Sequence, residues 1–136
     1  TRMSVTTTEG NSIGSEIFGG TAHAAVGTWY AALFTASPGA GGVADDEVSG
    51  GSYARVAVTN NVTNFPAMAA LAGASGAAIA FPTASADWGT VTHVGLCAAA
   101  TPGVDDVKHY GPITPVVILN GTTPTFAISG LTWSLA

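Results

Sequence analysis

The chain has 136 residues, enough for one domain with its own core, and its hydrophobic fraction of 47% argues against disorder. Only 8% of residues are charged, against about 25% in ordinary globular domains. Eight acids oppose Arg2, Arg55 and Lys108 for a formal charge of −5, and three cations are too few to hold nucleic acid or an anionic membrane surface.

Thr1 to Asn11 is polar, with Met3 and Val5 its only large apolar side chains. Ile13, Ile17 and Phe18 follow at helical spacing behind Ser12, which predicts a short helix with Ser12 as its N-cap, stopped by Gly19-Gly20. Residues 1–27 therefore read as an N-terminal arm with one short helix, and residues 28–136 as the β domain. In that domain Trp29 to Thr35 is an aromatic strand ended by Ser37-Pro38-Gly39, and Ala40 to Ser52 is a glycine-rich loop. Tyr53 to Thr59 alternates, with Tyr53, Arg55, Ala57 and Thr59 on one face. The alanine-rich stretch from Ala67 to Ala80 reads as a loose loop leading into a short strand at Ala77 to Phe81.

Trp88 and Gly89 open a strand that places Val91, His93, Gly95 and Cys97 on one face and Thr92, Val94 and Leu96 on the other. Lys108 to Pro112 and Ile113 to Leu119 read as two further strands. Asn120-Gly121 predicts a tight hairpin with φ > 0 at both turn positions, leading into Thr123 to Ile128. Leu131 to Leu135 is the last strand. Pro115 and Pro124 point to sheet edges. The whole predicts an all-β chain, a single β-sandwich of about seven short strands.

The segments Tyr30-Ala-Ala-Leu-Phe-Thr-Ala-Ser-Pro-Gly39, Glu47-Val-Ser-Gly-Gly-Ser-Tyr-Ala-Arg-Val-Ala-Val58, Asn64-Phe-Pro66, Phe81-Pro-Thr-Ala84 and Trp88-Gly-Thr-Val-Thr-His-Val-Gly95 carry a resemblance. In their order they resemble a family of small tailed-bacteriophage virion proteins, commonly labelled tail-fibre-like or structural, from about Phe18 onward. The resemblance implies an assembled virion component without enzymatic activity and supplies no catalytic residues. The Thr-rich start departs from the more apolar N-terminal helix of that family.

The residues themselves offer little chemistry. His23, His93 and His109 lack the paired spacing of metal ligands and read as structural or surface histidines. Asp45-Asp46-Glu47 and Asp105-Asp106 lack the alternating carboxylates and central glycine of a calcium loop, and read as solvated turns. Cys97 is the single cysteine, so no disulfide forms within the chain. His93 precedes it by four strand positions, about 13 Å, too far for a catalytic pair. Arg55 needs either a carboxylate partner, for which Asp87 is a candidate, or a path to solvent over Tyr53. Asn61-Val-Thr and Asn120-Gly-Thr match the glycosylation pattern but read as turn residues. No signal peptide or transmembrane span is visible.

The expectation is a non-enzymatic virion protein with no catalytic, cofactor-binding or metal-ligating residues and no cofactor. Its expected role is capsid decoration, cementing the head as a homo-oligomer, a trimer by preference, on the major capsid protein. The arm over residues 1 to about 20 would order on assembly. A tail, baseplate or tail-fibre-associated role is the alternative. A weaker one is a carbohydrate-binding β-sandwich with Trp29, Trp88 or Trp133 as stacking platform.

Overall fold

The apolar run at Thr28 builds the centre of the molecule. Its strand alternates Ala31 and Leu33 into one core cluster and Ala32 and Phe34 into another, so it is buried on both faces. The computed structural model describes residues 2–103 and 106–134. They form β1 (Arg2–Val5), α1 (Thr7–Gly19), β2 (Thr28–Phe34), β3 (Val56–Thr59), β4 (Ala72–Ala74), β5 (Ile79–Ala80), β6 (Gly89–Cys97), β7 (Val107–Ile118), β8 (Thr125–Phe126) and β9 (Thr132–Ser134). A seven-stranded sheet has the order β3-β2-β6-β7-β1-β9-β4, and β5 and β8 form a separate two-stranded ribbon. The all-β class with one short helix is thus what the chain adopts.

The larger core cluster lies between sheet and ribbon: Met3, Leu33, Val58, Val91, Val94, Leu96 and Ile118 meet Ile79, Phe81 and Ala84, with Phe126 packed against them. The smaller cluster, on the other face, joins Ala32, Phe34, Cys97 and Val107, covered by Tyr30, Ala44 and Tyr110. The covering loop comes in very close. Gly42 has φ +65, and a Cβ there would stand 2.5 Å from the Val107 carbonyl oxygen, so only glycine fits.

The first residues are part of the sheet. β1 pairs antiparallel with β7 and parallel with β9, and Met3 is 2% exposed. The helix begins at Thr7, earlier than expected, because its first turn is held from outside: the Thr6 and Thr7 amides donate to the carbonyls of Lys108 and Ala40. Ser12 is therefore inside the helix and not its cap; Thr6 is the N-cap residue and Gly20, in the left-handed region, the C-cap.

Several local expectations change for identifiable reasons. The two predicted strands around Pro112 are one, β7, which carries extra residues opposite β6 at two places. The shift between Val91 and His93 breaks the expected alternation there, so Val91 joins Val94 and Leu96 in the larger cluster, while Cys97 enters the other as the alternation predicts. Pro115 lies past the reach of β1, where β6 is the only paired neighbour, so its missing N–H interrupts no ladder. Asn120-Gly121 does not close a hairpin. The Thr122 amide donates to the Leu119 carbonyl, φ is positive at Gly121 alone, and the chain leaves the sheet for the ribbon. In the alanine-rich stretch, β4 and a two-residue turn appear instead of a loose loop. Ala69 and Ala72 exchange both backbone hydrogen bonds around Ala70 and Leu71, at φ 51 and 62. Tyr53 to Arg55 lie outside β3, and the Tyr53 and Arg55 side chains are bonded to Glu47. Leu135, at the end of the last predicted strand, lies outside the described residues.

Candidate functional site

Three places gather polar or aromatic groups. The first is Arg55, whose side chain is 2% exposed. Its Nε and Nη2 donate to Glu47 Oε1 and Oε2 at 2.8 and 2.6 Å, a fork-on-fork pair. Nη1 donates to Asp106 Oδ2 and to the Ala99 carbonyl at 2.9 Å. Asp87, the partner expected from the sequence, instead accepts from the Asn120 amide at 2.8 Å and braces that turn. Glu47 is not solvated either. Its Oε1 also accepts from the Tyr53 hydroxyl at 2.8 Å, and that hydroxyl accepts from the Leu33 amide at 3.0 Å. Glu47 and Asp106, one from each acidic cluster, are thus brought together, but around a guanidinium that takes the place a divalent cation would need. Asp105 lies outside the described residues.

The electrostatics follow from burial. Desolvation, then the charge of Glu47, pushes the Tyr53 phenol well above its ordinary range. Burial alone would lower Arg55, but its hydrogen bonds to Glu47 and Asp106 outweigh that and keep it charged. Cys97, in the adjacent apolar cluster, is pushed up to about 12 by desolvation, so its thiol is a packed hydrophobe and not a nucleophile. Asp106 Oδ1 is buried without a hydrogen-bond partner.

The second place joins α1 to the segment after it. His23 Nδ1 lies 2.7 Å from Ser12 Oγ and its Nε2 3.1 Å from Glu9 Oε1, with Glu9 itself 5% exposed. The sequence shows no sign of this trio, because Ser12 and His23 are eleven positions apart and share no motif. Its connectivity is that of a nucleophile, a base and a carboxylate. Yet Ser12 sits inside α1, where successive amides donate to carbonyls four residues back and none is left for an oxyanion. The trio instead clips residues 20–27 to the helix, while Asn60 Nδ2 holds the other end through the Val26 carbonyl at 2.7 Å. His109 stands within the field of both Glu9 and His23. Desolvation lowers its pKa, against the pull of Glu9, so it is neutral at physiological pH. His93 lies apart: Thr92 Oγ1 donates to the Thr35 carbonyl and so accepts from His93 Nδ1 at 2.8 Å. Among the described residues no three His, Cys, Asp or Glu side chains gather as metal ligands, and no helix is long and apolar enough to cross a membrane.

The third place is a pair of adjoining cavities that share Pro66, Ala67 and Trp133. One, of about 390 Å³, is walled by Met3, Trp29, Phe65, Met68 and His109. The other, of about 820 Å³, runs along β4 and β9 over small residues as far as Ile128 and Ser129. Trp29 meets His109 edge-on at 5.5 Å and Phe65 meets Trp133 at 5.6 Å, so two aromatic pairs line the smaller cavity. Of the three tryptophans singled out in the sequence, Trp88 is excluded as a platform. It is 6% exposed, and its indole N–H donates to the Gly51 carbonyl.

A family model described as Gp80, Podophage GP4 fiber I protein gp80, matches residues 4–134 of the chain. A comparison with curated proteins finds no match.

Proposed function

Because the chain belongs to the Gp80 family over nearly its whole length, we propose that it is a non-enzymatic structural protein of a podophage virion, built into or beside a tail fibre. The family match carries this reading and favours the fibre over the head-decoration role expected from the sequence. The folded chain fits a part whose work is mechanical. Its buried ionic groups are bonded to one another, and Cys97 is inert. The surface exposes Ile17, Phe18, Val62, Leu71 and Ile128, from 58% to 91%, which suits burial against neighbouring subunits, copies of itself included. Virions assembled without the protein test this. A fibre component predicts heads that resist heat as before while host adsorption fails. Heads that rupture at lower temperature while adsorption is retained would return the protein to the capsid.

A further inference from the structure

We propose that the two joined cavities beside Trp133 form a binding groove for an uncharged oligosaccharide. Pyranose rings present an apolar C–H face and a rim of hydroxyls, and bind where aromatic faces alternate with a few fixed polar groups. The smaller cavity supplies the aromatic walls from Trp29, Phe65 and Trp133. It also holds Asn60, whose amide N–H₂ gives one hydrogen to the Val26 carbonyl and whose Oδ1 can accept. His109, neutral through desolvation, offers one ring donor and one acceptor there.

The indole is held in place by the strand pairing below it. Gly73 lies directly opposite Trp133 on β4, and a Cβ at Gly73 would stand 2.3 Å from the indole nitrogen. The ring therefore lies on bare backbone, at the junction of the two cavities. Strain accumulates at the same place: of the four non-glycine residues with positive φ among the described residues, Ser129 lines the groove and Ala70 and Leu71 form the turn on its rim. Such backbone persists where the surroundings hold it, and clusters at ligand sites.

Charge narrows the choice of ligand. The chain carries eight acidic residues, yet none of the described groove residues is Asp or Glu, and Arg2 is the one charged side chain among them. A cationic ligand finds no counter-charge, and an apolar chain would leave Asn60 and His109 unanswered. A volume of about 820 Å³ beside one of about 390 Å³ leaves room for several sugar units.

The test is an array of uncharged oligosaccharides of three to six hexose or N-acetylhexosamine units, read by titration of the tryptophan emission of the intact protein. Met68→Arg and Ile128→Arg block the mouths of the two cavities at side chains already 40% and 65% exposed, so folding is spared. A member of the array should bind, and each variant should weaken it at least tenfold with an unchanged thermal midpoint. No binding anywhere on the array overturns the proposal, as does binding that survives both variants. The position of the protein in the virion does not enter this result, so the fibre reading stands or falls separately.

Discussion

Arg55 shows how a nearly uncharged chain uses the few charges it has. Two acidic clusters about sixty positions apart each give one carboxylate to a guanidinium that is 2% exposed. Removing one member of such a group leaves the others buried and unpaired, which costs about 3–5 kcal/mol. Arg55→Ala should therefore lower the thermal midpoint by roughly 10–15 °C. Asp87→Ala removes only a turn hydrogen bond and should cost about 1 kcal/mol. The two effects should add in the double variant, since they share no partner. Coupling between them in calorimetry would restore the Arg55–Asp87 pair expected from the sequence. His109 gives the pH dependence. Its folded pKa is depressed, so the unfolded chain takes up a proton at higher pH than the folded one. The stability it contributes is complete above the ordinary value of about 6.5 and is lost as pH falls below it. The thermal midpoint should fall between pH 7 and 5, and less steeply in His109→Gln; an equal slope in both would assign the acid sensitivity elsewhere.

At the scale of elements, the turn at Ala70-Leu71 is the clearest departure from local preference. Both residues have positive φ, where Asn-Gly is favoured and other side chains are strained. Replacing them with Asn-Gly should stabilise the protein by about 1–2 kcal/mol. A loss of stability would mean that exposed Leu71 packs against something the isolated chain does not show. The same turn explains what was legible. Strands with strong apolar character, β2 and β6, stand out in the sequence because their residues carry the core. β4 does not, since Ala72, Gly73 and Ala74 have no pattern of their own and are strand only because Trp133 pairs across from Gly73. β1 is hidden for a similar reason: Met3 alone marks it as buried, and its partners β7 and β9 lie more than a hundred positions away. The two prolines of β7 argue for two strands until the extra residues opposite β6 are seen. Of the candidate site, Trp29 and Trp133 were visible as aromatic surface. Phe65, Asn60 and His109 join them only through long-range packing, which no local spacing encodes.

For the whole molecule, β1 and β9 lie side by side within the seven-stranded sheet. The exposed apolar side chains suit a subunit that is covered on assembly. Closed symmetric assemblies built on a fibre contain few copies, whereas a shell decoration follows the capsid lattice. Quantitative mass spectrometry of purified virions, scaled to the major capsid protein, therefore tests the central claim most directly. The fibre reading predicts a small multiple of three or six copies per particle. A stoichiometry on the order of hundreds of copies, in proportion to the major capsid protein, would contradict it.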